Sequence, residues 1–236
     1  GHKPRARSKQ AQPRPRTKEM PLDATSGAAL LEKSRYDPEI LPQLEEYVNT
    51  QCASNTYNLD CNLATLKLYQ FHTEKSNPEI VAKILVKALM NLPNTDYLLC
   101  MYLVPESVQE LEQIKNISAV AQLLEGCSFR AVWGSLGSLS ELLAAVPGFD
   151  DAIREFMLTT LQITYQAVPD AHAKESLGLK DDAALQALVA AKGWTREGGA
   201  IHISPNPDNT AKPKKVDVTG AMGSDQMTKI LASITS

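Results

Sequence analysis

The side chains that could act on a bond are few and scattered. The natural acid–base groups near neutral pH are the four histidines, His2, His72, His172 and His202, yet no catalytic motif surrounds any of them. They fall in a tail, a loop, a helix surface and a strand. The cysteines Cys52, Cys61, Cys100 and Cys127 lie nine, 39 and 27 positions apart, with no Cys-x-x-Cys pair and no histidine at ligand spacing. Zinc and dithiol chemistry therefore lack their donors, and buried, reduced thiols are expected. Gly134-Ser135-Leu136-Gly137-Ser138 lacks the Gly-x-Ser-x-Gly order of a nucleophile elbow, and no P-loop or glycine-rich dinucleotide turn occurs. The acid pairs Asp150-Asp151 and Asp181-Asp182 stand at predicted helix starts, where the helix dipole accounts for them. No catalytic, cofactor-binding or metal-binding residue is expected. What remains is recognition by surface.

Surfaces need elements to carry them, and residues 59–71 are the most informative stretch. Placed on a helix, Leu59, Leu63, Leu66 and Tyr69 fall on one side, and Cys61, Ala64, Leu68 and Phe71 on the other. Asp60, Lys67 and Thr65 fall at the seams. A helix at a protein surface needs one apolar stripe, so two opposed stripes predict a helix held between two neighbours, as in stacked helical layers.

Around it the pattern repeats with short polar or proline turns. Asp37-Pro38 and Asn77-Pro78 offer an N-cap followed by a proline at the first helical position. Ile40, Leu41, Leu44, Tyr47 and Val48 stripe the first of these helices, and Ile80, Val81, Ile84, Leu85, Ala88, Leu89 and Leu92 the second. A helix restarts at Asp96 and breaks at Pro105. Helix follows over 107–125 in one or two pieces, then two short helices near Trp133. The pattern fits a HEAT-like α-solenoid.

This stretch carries a resemblance. The run Asn62-Leu63-Ala64-Thr65-Leu66-Lys67-Leu68-Tyr69-Gln70-Phe71 resembles the subunit k family of eukaryotic translation initiation factor 3. Arg35-Tyr36-Asp37-Pro38, Lys87-Ala88-Leu89-Met90-Asn91-Leu92-Pro93, Gly148-Phe149-Asp150-Asp151, Ile163-Thr164-Tyr165-Gln166 and Gly193-Trp194 agree with it. The resemblance implies a mainly α protein, a helical-repeat domain followed by a PCI-like winged helix, acting as a non-catalytic subunit of a ribosome-bound assembly. It implies other subunits of the factor as partners, subunit l above all, with the small (40S) ribosomal subunit reached through the complex. A proteasome-lid or signalosome-type subunit and a winged-helix nucleic-acid-binding regulator are the alternatives.

The residues divide the chain as follows. Residues 1–29 form a disordered basic extension, too poor in large apolar side chains to offset the cost of ordering. Residues 30–147 form the helical-repeat domain, 148–204 the winged helix, 205–224 a linker containing the solvated run Lys212-Pro213-Lys214-Lys215, and 225–236 a terminal helix. In the winged helix, Ile153, Phe156, Met157, Thr160 and Ile163 point inward from a long first helix, and Ile201 and Ile203 inward from the last strand, with His202 outward.

Charge bears on the partner. The 236 residues sum to −3, but residues 1–20 hold seven Lys/Arg against one Glu, leaving 17 basic and 26 acidic residues, or −9, for the rest. An acidic body is repelled by phosphate backbones. The recognition-helix position, residues 182–192, has only Gln186 and Lys192 as base- or phosphate-reading side chains. Its composition points to packing against protein, with Leu185 and Val189 as apolar contacts. Met227, Ile230, Leu231 and Ile234 stand at i, i+3, i+4 and i+7, a single stripe on a helix behind a linker, and are the clearest candidates for binding a partner. No apolar run reaches the ~18–20 residues of a membrane span, and the amino end lacks a signal-peptide core. A cytoplasmic protein is expected.

Overall fold

The computed structural model describes residue 31, residues 35–211 and residues 224–234. The basic extension, the Lys212 to Lys215 run and the 212–223 part of the linker lie outside the described residues.

Three Asx caps start the helical layers. Asp37 accepts the Glu39 N–H at 2.9 Å and opens a 3-10 turn, Pro38–Ile40, that runs into α1 (Leu41–Ala53). Asn58 accepts the Cys61 N–H at 3.1 Å to begin α2 (Leu59–Phe71). Asn77 accepts the Glu79 N–H at 3.1 Å to begin α3 (Pro78–Leu89). Each satisfies a backbone donor that the first helical turn leaves unpaired. The chain continues through α4 (Asp96–Leu103), α5 (Glu106–Gln109), α6 (Glu112–Glu125), α7 (Phe129–Ser135) and α8 (Ser140–Ala144). The break predicted within 107–125 falls between Gln109 and Glu112.

Helix α2 packs against α1 on one side and α4 on the other, with Leu66, Leu68 and Tyr69 fully buried. The inner and outer residues differ in part from the two-stripe pattern. Phe71 is exposed and Leu59 and Leu63 are half-buried, whereas Asn62 and Thr65 are buried. The polar pair enters the core because its hydrogen bonds are met there. Gln51 Nε2 donates to Asn62 Oδ1 at 2.9 Å, Gln51 Oε1 accepts the Asn58 N–H at 2.8 Å, and Thr65 Oγ1 donates to the Cys61 carbonyl at 2.8 Å. The more enclosed helix is α3. Ile80, Val81, Ala82, Ile84, Leu85, Val86, Ala88 and Leu89 are each at most 3% exposed, because α1, α4, α6 and α8 pack around it. Of its charged side chains, Glu79 is exposed and Lys83 half-buried, while Lys87 is buried with the apolar ones.

Three of the four cysteines are buried, and Cys127 is exposed. Cys127 lies in the turn after α6 with φ 53°, outside any apolar stripe.

Two compact units divide the chain, Gly1–Phe156 and Met157–Ser236, and α9 (Phe149–Thr164) contributes residues to both. In α9 the buried stripe is Ile153, Met157 and Leu161 with Leu158, while Ile163 is exposed. Stepping by four keeps that stripe on one side, and Ile163 falls well off it.

The second unit has the helix, helix and hairpin order of a winged helix. Strand β1 (Ala167–Pro169), which the sequence pattern does not reveal, precedes α10 (Asp170–Leu177) and α11 (Asp182–Ala191), then β2 (Thr195–Glu197) and β3 (Ala200–His202). Gly178 ends α10 in the left-handed region at φ 63°. Gly198 and Gly199, at φ 61° and 80°, make the tight turn between β2 and β3. The antiparallel sheet runs β1-β3-β2, with Ile201 opposite both Val168 and Arg196. Ile201 and Ile203 point inward and His202 outward, as their alternation predicts.

The segment expected to begin a linker at 205 stays attached through an Asx turn. Asn206 Nδ2 donates to the Gln162 carbonyl at 3.1 Å, and Asn209 Nδ2 donates to the Tyr165 carbonyl at 3.3 Å. Beyond the undescribed stretch, α12 (Ser224–Ile234) ends the described chain.

Candidate functional site

The reactive side chains are held in forms that suit structure. Burial pushes the Cys61 thiol up to about 11 and the Cys100 thiol up to about 12, and also raises that of Cys52. A thiol so shifted is not a thiolate nucleophile near neutral pH. Lys87 is buried at 4% exposure, and loss of hydration lowers its affinity for a proton. Its Nζ donates to Asn55 Oδ1 at 3.0 Å, so it ties α3 to the turn after α1. Among the described residues, no group of three His, Cys, Asp or Glu side chains could hold a metal ion, and no helix is long and apolar enough to cross a membrane.

The winged helix corrects two of the six candidate contact residues. Leu185 and Val189, on α11, are 0% and 2% exposed. They pack with Val168, Leu177, Trp194 and Ile201 around a residual space of about 10 Å³, scarcely enough for one water. They hold α11 to its own sheet and are not available to a partner. The physical reason is composition: apart from Leu188, which lines the same space, every other apolar residue of α11 is alanine, so the leucines and the valine must do the anchoring.

Reading 182–192 alone also misses Arg196, the cation of the wing. Its Nε donates to Asp170 Oδ2 at 2.7 Å, and its two terminal nitrogens donate to the two oxygens of Asp182, each at 2.8 Å. Lys174 joins Asp182 at 2.6 Å. Fork-to-fork geometry of this kind is the strong form of the arginine–carboxylate pair. It holds the Asp182 carboxyl well below the usual carboxylate range and raises the Arg196 guanidinium further. An arginine that would serve a phosphate in a nucleic-acid-binding wing is here bonded to β2's neighbours, α10 and α11. A carboxylate 14 positions away in sequence gives no local sign of this.

The other four candidates share one stripe. Met227, Ile230, Leu231 and Ile234 on α12 are 50%, 45%, 61% and 74% exposed. Residues spaced i, i+3, i+4 and i+7 lie on one helix face, so the chain presents a continuous apolar strip over two turns of helix. Such a strip can bury itself against the apolar faces of other helices. A second group of exposed apolar side chains, on α2 and α4, has no counterpart in the sequence reading; Leu98, Leu99 and Tyr102 form the outward side of a helix whose inward side is Tyr97 and Cys100.

Comparison with known proteins agrees with the fold. Residues 75–215 match the CSN8/PSMD8/EIF3K family. A human protein named eukaryotic translation initiation factor 3 subunit K is 38% identical over 90% of this chain and 96% of its own length. Proteins of the same name are 39% identical in Nematostella vectensis, over 77% of this chain and 84% of theirs, and 40% identical in Bombyx mori, over 83% and 89%.

Proposed function

The chain belongs to the CSN8/PSMD8/EIF3K family, and from that premise we propose that it is a non-catalytic interaction subunit of a translation initiation factor 3 complex, acting in translation initiation. The observation that carries this is the likeness to subunit K proteins along nine-tenths of the chain. The family name also covers two other assemblies, but the full-length relatives compared above share the initiation-factor name.

The physical reading fits a scaffold. Helix α12 inserts its apolar strip among helices contributed by other subunits, where each of the four side chains, fully buried, contributes roughly 1.5–3 kcal/mol. A short helix is marginal alone in water, so docking also supplies its order. The winged helix meets subunit l through its outer surface, since Leu185 and Val189 are occupied within. The small ribosomal subunit is reached through the assembly, because the wing arginine is bonded to carboxylates and residues 21–236 carry −9. The setting is the cytoplasm, without a cofactor.

Affinity purification of the tagged full chain from cytosol, with identification of co-purifying subunits, tests this. Initiation factor 3 subunits in near-stoichiometric amounts are expected. Recovery of proteasome-lid or signalosome subunits in their place would contradict it.

A further inference from the structure

Tyr36, α2 and α4 form a surface that the proposed function does not use. Tyr36 and Phe71 are 66% and 56% exposed, and large apolar side chains paired in the open mark an interaction site. Tyr36 and Phe71 meet with ring centroids 6.4 Å apart at 59°. Lys67 Nζ lies 4.9 Å from the Phe71 centroid and donates to Gln70 Oε1 at 2.8 Å, which holds it in place. Beside them, Leu63, Ala64 and Leu103 line an open hollow of about 200 Å³ whose rim is Arg35, Lys67 and Asp60. Leu99 stands one turn before Leu103 on α4 and is 43% exposed, so an apolar strip leads out of the hollow.

The rim selects the occupant. Two cations against one carboxylate make the hollow a positive exception in a body carrying −9. A single-stranded nucleic acid would find rings to stack on, but its run of phosphates would meet the acidic body around the hollow. A polypeptide meets the same rings, in a composition rich in Tyr, Phe and Arg that interfaces favour, and brings only the few carboxylates that the rim can pair. We propose that this surface docks a protein segment in which one bulky apolar side chain fills the hollow over Leu63, Ala64 and Leu103, and a flanking Asp or Glu pairs with Arg35 and Lys67.

The test is a titration of the isotope-labelled full chain with N-acetyl-Phe-Glu-amide, N-acetyl-Phe-Lys-amide and oligouridylate, followed by backbone NMR. The Phe-Glu compound should shift the resonances of Leu63, Lys67 and Leu103 and bind roughly tenfold more tightly than the Phe-Lys compound. The double variant Arg35→Glu, Lys67→Glu, with an unchanged thermal midpoint, should reverse that order. Should the variant fail to fold, the wild-type comparison stands alone. Equal affinity for the two compounds, absence of shifts at Leu63 and Leu103, or binding of oligouridylate there while both compounds are silent would overturn the proposal.

Discussion

At the scale of single residues, polar side chains inside the core are satisfied by one another. Asn62 accepts from Gln51, which in turn accepts the backbone N–H of Asn58, so one pair joins α1, α2 and the cap between them. Asn62→Ala leaves the Gln51 amide buried without its acceptor, and should cost about 1–3 kcal/mol in urea unfolding. Periodicity places such a residue on a face but cannot say that its hydrogen bond is met inside, which is why Asn62 was not legible as core. Arg196 gives a second prediction. Hydrogen bonds from Arg196, then Lys174, depress the Asp182 pKa from its ordinary 3.8. A depressed folded value means that the stabilisation is fully present above about pH 4 and is lost as pH falls toward the folded value. Asp182→Asn removes this component. Its urea midpoint, followed by Trp194 fluorescence in a Trp133→Phe background, should therefore fall less between about pH 4 and pH 2 than that of the parent.

At the scale of elements, the helix types and most of their ends were legible because Asp37, Asn77 and the prolines after them act locally, whereas the cap at Asn58, with no proline behind it, was not. Which helix lies deepest was not. Helix α2 advertises two apolar sides, yet α3 is the more enclosed, a matter of how many neighbours arrive from elsewhere in the chain. Helix α11 shows the same limit. Its Leu185 and Val189 suit a partner or a sheet equally well in sequence, and the three-residue β1 that helps complete the sheet is too short to announce itself. Leu185→Ala should destabilise the winged helix by about 2–5 kcal/mol, as truncation of a fully buried leucine does, and hydrogen exchange of the amides in β3 would show it. A residue serving only as a partner contact would leave that exchange unchanged. Helix α12 behaves oppositely. Ile230→Asp with Leu231→Asp should shift the thermal midpoint of the isolated chain by less than the equivalent of about 0.5 kcal/mol, since substitutions at exposed positions are usually within that range.

At the scale of the whole molecule, the parts divide the work of a scaffold. Stacked helices and a winged helix bury most of their large side chains internally, apart from the exposed group at Tyr36, α2 and α4, while α12 keeps four outside. The charge pattern was legible by counting, and it agrees with a body that meets protein more readily than phosphate. The measurement that bears most directly on this is competitive incorporation. The full chain carrying Ile230→Asp and Leu231→Asp is expressed beside the wild type, and the ratio of the two is read by mass spectrometry in purified initiation factor 3 complexes. Two carboxylates forced into an apolar contact should deplete the variant at least about tenfold while its helix content is retained. Equal incorporation of the two chains would contradict the assignment of α12 as the docking element.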